Sequence, residues 1–110
     1  MSDARIARVR HGWTTSGNAD AYERLLITEI FSGIENKRVP GYLGIRLLRQ
    51  PGEGGEVEFV TLMEFHSWAA VRQFAGEDYE RAYVPARARE VLARFDERSM
   101  HYEVRRRIDD

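Results

Sequence analysis

Three histidines are the side chains best suited to acid–base chemistry near neutral pH, because the sequence contains no cysteine. His11, His66 and His101 fall on separate predicted elements, without the HxH or HExxH spacing of a metal-binding motif. His11 and Trp13 stand two residues apart in an alternating stretch, so a strand would place both on one face. This pair could bind a substrate and accept its proton. Alternatively, a backbone carbonyl satisfies a partly buried His11 beside a core tryptophan.

The other two histidines are weaker candidates. His66 directly follows a predicted strand, and we expect it to be exposed at the corner where the next helix begins. Trp68 is then expected to pack that helix onto the sheet. Alternation places His101 opposite Tyr102, on a charged face, unless a bulge near Ser99 turns it inward as a site residue.

Tyr79 and Tyr83 form a further candidate pair, because they stand four residues apart in the stretch EDYERAY. If this stretch is helical, the two phenols share a face. They could line the mouth of a pocket, or they could only pack at the edge of the helix. The stretch GEGG, residues 52–55, lacks the strand-to-helix context of a nucleotide-binding loop and is predicted to turn a hairpin.

The composition is that of one soluble globular domain over residues 1–110. Apolar residues make up 43% and charged residues 32%, with a formal net charge of -1. This balance gives no reason to expect nucleic acid or a membrane surface as a partner. No apolar run approaches the roughly 20 residues of a membrane span. The N-terminal residues lack the apolar segment of a signal peptide, and the absence of cysteine suits a reducing cytoplasm.

Switches between alternating and helical periodicity predict the order strand, helix, strand, strand, helix, strand. The first strand covers residues 4–15, and Asn18 is the candidate cap of a helix from Ala19 to about Lys37. Residues 42–50 and 56–65 are the two strands of a hairpin turned by PGEGG.

The second half of the chain completes the pattern. Ser67 caps a short helix that Gly76 closes, Pro85 begins another helix that runs to about Phe95, and RSMHYEVRRR forms the last strand. This order is the ferredoxin-like βαββαβ pattern, an α+β fold with a four-stranded antiparallel sheet. Right-handed crossovers place the first and third strands at its centre.

Alternation divides the strand residues into two faces, and the helices can cover only one. The nearly apolar face is expected to lie under the helices: Val9, His11, Trp13, Leu43, Ile45, Leu47, Phe59, Thr61, Met63, Phe65, Tyr102 and Val104. On the other face, Val60 and Leu62 would form an unfavourable exposed patch, so we expect a second sheet to cover it. We therefore predict a homodimer through this mixed face, with the following charged residues near the interface: Arg8, Arg10, Glu58, Glu64, Glu103 and Arg105.

The chain resembles the antibiotic biosynthesis monooxygenase domain of the dimeric α/β-barrel superfamily. The resemblance lies in the order of elements, the RVRHGWTT strand, the block EFVTLMEFHSWAAVRQFAGEDYERA and the closing FDERSMHYEV, and it covers roughly residues 5–105. It implies a dimeric α/β barrel. The superfamily also contains heme-degrading oxygenases, isomerases and members without an assigned activity, so the resemblance is more specific for fold than for reaction.

The resemblance implies a monooxygenase that uses neither metal nor flavin. In such quinone-forming oxygenases a phenolic substrate loses a proton in an apolar pocket, and the resulting carbanion reduces dioxygen. Heme degradation is not implied, because the chain departs from the three residues that related heme degraders use. Arg10 or His11 stands at the asparagine position, Phe65 at the tryptophan position, and Tyr83 near the position of the iron-binding histidine.

We expect a ligand pocket between the sheet and the helices. Its predicted lining is Val9, His11, Trp13, Phe59, Met63, Phe65, Trp68, Phe74, Tyr79 and Tyr83. His11 is the predicted catalytic residue, because it is the only ionisable residue that alternation places on the apolar face of the central strands. Three functions remain open: a cofactor-independent oxygenase for a small aromatic or polyketide-like substrate, a non-catalytic barrel that binds a small hydrophobic ligand, and a pocketless structural member.

Overall fold

The fold is a ferredoxin-like α+β arrangement, in which an open antiparallel sheet carries its helices on one face. The computed structural model describes residues 4–109. Three long strands make up most of the sheet: β1 Ile6–Thr15, β2 Tyr42–Pro51 and β3 Glu56–Phe65. Their spatial order is β2-β3-β1, so the first and third strands lie in the interior of the sheet, as the crossover rule predicts.

The sheet has five strands rather than the predicted four. Two short strands, β4 Arg94–Phe95 and β5 Met100–Glu103, pair one after the other along the remaining edge of β1. The predicted last strand, residues 98–107, is observed only over β5, and β4 falls where the end of the last helix was predicted. Between β4 and β5, residues 97–99 bond to residues 80–82 instead of β1. There the backbone N–H of Ser99 donates to the carbonyl of Glu80 at 2.6 Å, outside the β1 ladder.

The predicted helix after β1 is confirmed, and its middle turn is wider than that of an α-helix. It consists of α1 Ala19–Leu25, a π-helical segment Leu26–Ile30 and α2 Phe31–Asn36 in continuous succession. Asn18 is the N-cap residue of α1 as predicted, but its side chain makes no capping hydrogen bond. A 3-10 turn, Ser16–Asn18, precedes α1, and its cap is Thr15, whose hydroxyl accepts the N–H of Asn18 at 3.3 Å. Among residues 4–109 no helix has the length and apolar character needed to cross a bilayer.

The predicted signals of the short helix are both observed. In α3 Trp68–Ala75 the Ser67 hydroxyl accepts the N–H of Ala70, and Gly76 closes the helix with φ of 84°. The next helix, α4 Ala86–Val91, begins directly after Pro85 as predicted. It ends before the predicted boundary at Phe95, which pairs with Gly12 in the sheet.

The β2–β3 hairpin forms as predicted, with Pro51 opposite Val57 at its end. Its turn needs Gly54 and Gly55, whose φ angles of 65° and 80° lie in the left-handed region that glycine adopts without steric cost. The loop before β2 depends on Gly41 for a different reason. A Cβ there would lie 2.7 Å from the Cβ of Ala70, so only glycine lets this loop approach α3 so closely.

The face assignment is correct for β3 and wrong for β1. Phe59, Thr61, Met63 and Phe65 lie under the helices as predicted. The ladder places Ile6 opposite Phe65, Arg8 opposite Met63 and Arg10 opposite Thr61, so these β1 residues lie under the helices too. The predicted inward residues of β1, Val9, His11 and Trp13, therefore point to the uncovered side.

The same inversion affects the strand ends next to β1. Tyr102 pairs with Ala7 and Met100 with Val9, on the uncovered side, while His101 pairs with Arg8 under the helices. Leu43 was predicted to point inward, but a bulge between Tyr42 and Gly44 shifts the β2 register, and Leu43 is exposed. Val104 lies beyond β5 and lines a surface hollow together with Leu43.

Two names describe the resulting faces. The helix-side face carries Ile6, Arg8, Arg10, Ile45, Leu47, Phe59, Thr61, Met63, Phe65, His101 and Glu103. The open face carries Val9, His11, Trp13, Arg46, Leu48, Glu58, Val60, Leu62, Glu64, Met100 and Tyr102.

The core beneath the helices has two clusters. One surrounds Ile6, Phe65 and Val71, and the other surrounds Tyr22, Phe59 and Ala88. Both are largely aliphatic or aromatic, and burial of such side chains is the main force that stabilises a domain of this size. Ile30 and Phe31, at the end of the π-helical segment, pack against both clusters, so the segment spans the place where they meet.

Candidate functional site

A small cavity lies where the two core clusters meet, between the sheet and the long helix. Its volume is about 30 Å³. The walls are Arg8, Arg10, Leu26, Ile30, Phe31, Ile34, Ile45, Thr61, Met63, Phe74, Tyr83 and Ser99. None of these residues is acidic, and the only charged groups are the two arginines. We call this space the arginine cavity. The π-helical segment covers it, and π-helical turns are frequently found at functional sites.

Arg8 is almost fully buried, with 4% of its surface exposed. Its guanidinium donates to the backbone carbonyl of Tyr79 and, at 3.2 Å, to that of Arg81. Burial and the neighbouring charge of Arg10 lower the pKa of Arg8 to about 10, so it remains a cation at neutral pH. Arg8 therefore fastens the segment before α4 to the sheet while keeping a positive charge beside the cavity.

Arg10 has fewer partners than Arg8. One of its terminal nitrogens, Nη2, lies 3.5 Å from the hydroxyl of Tyr22, at the limit of a hydrogen bond. The other, Nη1, is buried and has no acceptor among residues 4–109. A buried guanidinium N–H without an acceptor is costly, since charged donors lose several kcal/mol of hydration. The arginine cavity thus contains a cationic donor that an anionic or polar ligand could satisfy.

Neither arginine is neutralised by a carboxylate. Within residues 4–109 the ion pairs of the protein lie elsewhere, and neither Arg8 nor Arg10 takes part in one. Burial is the main cause of the lowered pKa of Arg8, and repulsion from the positive charge of Arg10 lowers it further. An anion between them would relieve that repulsion, and a low-dielectric surrounding would strengthen the attraction.

His101 stands beside the cavity in a cluster of aromatic rings. Its ring centroid lies 5.7 Å from that of Trp68 and 5.2 Å from that of Tyr79. Its Nε2 is 3.0 Å from Nη1 of Arg8, and because arginine can only donate, this nitrogen must accept. Burial, together with the charge of Arg8, lowers the pKa of His101 to about 4, so the ring is neutral at pH 7.

His11 lies on the opposite side of the sheet from the arginine cavity. Its Nδ1 is 2.8 Å from a carboxylate oxygen of Glu58, and its ring stacks on Trp13 with centroids 6.0 Å apart. Gln50 donates to the other oxygen of Glu58 at 2.6 Å, and these two hydrogen bonds lower the pKa of that carboxyl. The prediction that His11 lies under the helices is wrong, and its predicted catalytic role loses its geometric basis.

The remaining predicted pocket residues fall into four groups. Met63, Phe74 and Tyr83 line the arginine cavity. Phe59 and Phe65 are fully buried in the two core clusters behind it. Trp68 and Tyr79 surround His101, and Val9 and Trp13 lie on the open face.

The structure also tests two local predictions. His66 is exposed at the corner between β3 and α3, as predicted. Tyr79 and Tyr83 do not stack on a helix, because residues 77–85 contain a turn and an isolated bridge instead of helical turns. Tyr79 turns towards Trp68, while Tyr83 covers the cavity.

The sequence-based prediction missed the two arginines as site residues. Arginine on a strand most often points to solvent, and Arg8 and Arg10 alternate with Val9, His11 and other residues that look more like core. One signal could have favoured the observed orientation. Gly12 shares a face with Arg8 and Arg10, and a Cβ there would lie 3.1 Å from Leu92, so the covered face requires a small residue at this point.

Comparisons with known proteins identify the fold. No protein-family model matches the sequence, and no curated protein matches it. Among solved structures, a Bacillus cereus protein described as a candidate antibiotic biosynthesis monooxygenase superposes with a TM-score of 0.70 at 14% identity, over 97% of this chain and 99% of that one. The fold is therefore that of the antibiotic biosynthesis monooxygenase domain, which confirms the structural part of the resemblance.

Two further structures share this fold. SnoaB, a cofactor-independent oxygenase from Streptomyces nogalater, has a TM-score of 0.56 at 13% identity and covers 97% of this chain and 99% of its own. A dimeric ferredoxin-like protein from an uncultured marine organism has a TM-score of 0.57 at 11% identity and covers 96% and 100%. At such identities only the fold is shared, and function must be argued from the site.

Proposed function

We propose that this protein is a cofactor-independent monooxygenase-like enzyme whose small aromatic or polyketide-like substrate binds as an anion in the arginine cavity. The observation that carries this proposal is the pairing of two cations with apolar walls: Arg8 and Arg10 line the cavity, and no acidic residue does. Oxidation of an electron-rich carbon by dioxygen needs the substrate as its anion. A buried arginine pair stabilises an anion more strongly than it stabilises the neutral acid.

The protein's part in such a reaction would be binding, charge stabilisation and exclusion of water. The arginines lower the pKa of a bound phenol or carbon acid, and Leu26, Ile30 and Met63 keep the resulting anion dry. The overall conversion is balanced when a CH₂ group and dioxygen give a carbonyl and one water. Electrons pass from the substrate anion to dioxygen, which is both the oxidant and the source of the new oxygen atom.

No histidine is placed to remove the substrate proton inside the cavity. His11 lies on the open face, and the Nε2 of His101 already accepts a hydrogen bond from Arg8. We therefore propose that the proton goes to solvent as the anion binds, and that the arginines stabilise the anion without acting as a base. The pKa of the substrate in the cavity, rather than that of a protein base, would then set the pH dependence of turnover.

We further propose that the protein forms a homodimer through the open face. Leu48, Met100 and Tyr102 are between 49% and 53% exposed there, next to Val60 and Leu62. A patch of this kind is unfavourable in water and favourable against a second copy. The proposed interface differs from the predicted one, since Arg8, Arg10 and Glu103 lie on the helix-side face, while Glu58 and Glu64 remain on the open face.

A second candidate function follows from the size of the cavity. About 30 Å³ is the space of roughly one water molecule, too little for an aromatic ring. This volume favours a non-catalytic dimer that binds a small hydrophobic ligand only after opening, or a structural member that binds none. These two non-catalytic alternatives differ in whether the protein binds a ligand at all.

Oxygen uptake tests the main proposal. Purified protein, free of metal and flavin, is supplied with a panel of phenols and anthrones, and dioxygen consumption is followed with an electrode. With an active compound, Arg10→Met should lower turnover by about 100-fold, the usual cost of one lost anion-stabilising donor. Arg24→Met serves as a control, because Arg24 is exposed on α1 and remote from the cavity wall.

Two outcomes would count against the proposal. If no compound in the panel causes oxygen uptake above the protein-free rate, the non-catalytic alternative is favoured. If a compound is oxidised and Arg10→Met turns it over as fast as Arg24→Met, the reaction does not take place at the arginines.

A further inference from the structure

Tyr83 lies between three neighbouring spaces on the helix side of the sheet. Besides the arginine cavity, a surface hollow of about 380 Å³ lies between Arg8, Phe74 and Arg81, and another of about 290 Å³ lies between Leu25 and Pro85. Among the described residues, Tyr83 is the one that lines all three spaces. Its ring therefore lies between the small inner cavity and two larger surface hollows.

Lys37 holds the Tyr83 ring in this position. The ammonium nitrogen of Lys37 lies 5.0 Å from the ring centroid of Tyr83 and 5.0 Å from that of Phe74, a distance at which cation–π attraction acts on both rings. Within residues 4–109 Lys37 forms no ion pair that would compete for its charge. The contact is weak and exposed, so it positions the ring without locking it.

The backbone on either side of Tyr83 is anchored. The N–H of Ala82 donates to the carbonyl of Glu97 at 2.9 Å, and the carbonyl of Val84 accepts from Nε of Arg89 at 3.1 Å. Val84 itself is buried in the core. Tyr83, by contrast, is 51% exposed. A rotation of the side chain, with no loop movement, would therefore be enough to join the inner and outer spaces.

We propose that Tyr83 determines the size of the ligand that the arginine cavity accepts. With its ring in place only a very small molecule fits beside Arg8 and Arg10; when the ring swings out, the cavity opens into the hollows beside it. A multi-ring anion would then place its charged group on the arginines and its outer rings in the space that Tyr83 vacates, next to Lys37. This inference rests on the proposed function only through the anion-binding role of the cavity.

Binding of aromatic carboxylates of increasing size tests the inference without any catalysis. Benzoate, naphthalene-2-carboxylate and anthracene-2-carboxylate share one anionic group and differ in ring number. Their dissociation constants are measured by titration calorimetry for the wild type, Tyr83→Ala and Tyr83→Trp. The matched control is Ile27→Ala, a truncation of a comparably exposed side chain, 53%, that lines none of the three spaces.

Truncation should favour the large ligand selectively. We expect Tyr83→Ala to raise the affinity for anthracene-2-carboxylate relative to benzoate by about tenfold, a usual effect of pocket size on specificity. Tyr83→Trp should change this ratio in the opposite direction, and Ile27→Ala should leave it at the wild-type value. Circular dichroism melting curves for each variant establish that the fold is retained.

The possible failures can be told apart. If benzoate binds and the ratio is the same in the wild type, Tyr83→Ala and Tyr83→Trp, Tyr83 is not the size-determining residue, while the anion site stands. If none of the three carboxylates binds to any of the proteins, the anion site itself is overturned, and the inference falls with it. Absence of oxygen uptake alongside size-selective binding would overturn only the enzymatic proposal.

Discussion

The helix-side face and the open face of the sheet divide polar and apolar residues in an unexpected way. Under the helices, Arg8 is 4% exposed and donates hydrogen bonds to backbone carbonyls, while Arg10 lines a cavity. On the open face Leu48 is 49% exposed, and His11 pairs with Glu58 at 2.8 Å. The covered side of β1 therefore carries the charges, and the uncovered side carries more apolar surface than a monomer tolerates well.

This difference shows that alternation reports the two faces of a strand without saying which face is covered. Alternation identifies the core when one face contacts solvent, as in a single two-layer domain. When both faces are to be covered, by helices on one side and by a second copy on the other, both carry apolar residues. A charge on the covered face then needs partners, because a buried charge is costly unless hydrogen bonds or an opposite charge compensate for it.

The largest expected effect concerns the proposed role of the open face. Leu48→Arg would place an unpaired charge in the proposed dimer interface, which costs about 4 kcal/mol and weakens association by roughly 1,000-fold. Sedimentation velocity should therefore show a monomer at micromolar concentration. Ile27→Arg is the control, since Ile27 is similarly exposed, 53%, on the helical layer. If both variants sediment as the wild type does, the open face is not the interface.

A smaller effect distinguishes the two arginines of the helix-side face. Arg8→Met leaves the carbonyls of Tyr79 and Arg81 and the Nε2 of His101 without their donor, and should lower the free energy of unfolding by about 3 kcal/mol. Arg10→Met removes a donor that lacks an acceptor, so its stability should change by less than about 1 kcal/mol. Urea denaturation measures both. Equal losses would mean that Arg10 is also a structural residue.

The pH dependence of stability should reveal His101. Its pKa is about 4 in the folded protein, below the value of about 6.5 expected in the unfolded chain. Between these values the unfolded chain takes up a proton that the folded protein does not. The stabilisation is thus complete above pH 6.5 and is lost as the pH falls towards 4.

His101→Gln removes this titration. Because the imidazole is partly accessible to solvent, we expect the loss of stability between pH 7 and pH 4.5 to be smaller in the variant by only about 1 kcal/mol. Urea denaturation at the two pH values measures the difference. Identical losses in the wild type and the variant would show that His101 titrates normally in the folded state.

The smallest effect is expected for His11, the residue that the sequence favoured most. His11→Ala removes a partly exposed pair with Glu58 on the open face, worth about 0.5 kcal/mol, and touches no wall of the arginine cavity. The affinity of the cavity for aromatic carboxylates should stay within about twofold of the wild type by calorimetry. A loss comparable to that of Arg10→Met would restore His11 as a site residue and would contradict the division between the faces.

Much of the fold could be predicted because its signals are local. Period-two alternation located β1, β2 and β3, helical spacing located the long helix, and Ser67 with Gly76 marked both ends of α3. These patterns depend on residues close in sequence, whose backbone preferences hold wherever the element packs. The candidate site was predicted only in part: Met63, Phe74 and Tyr83 line the cavity, and His11 does not.

The sequence by itself determined the order of elements, the antiparallel hairpin and the presence of two partly apolar sheet faces. Only the tertiary structure decided that Ile6, rather than Val9, faces the helices, because that choice rests on contacts with Phe65 on another strand. The same holds for the start of β5 at Met100, because residues 97–99 bond to residues 80–82 instead of β1. The arginine cavity forms between segments that are distant in sequence, so no local pattern predicts it. Local alternation also leaves open which face of a strand is covered, and the opposite choice moves every side chain of the strand to the other side.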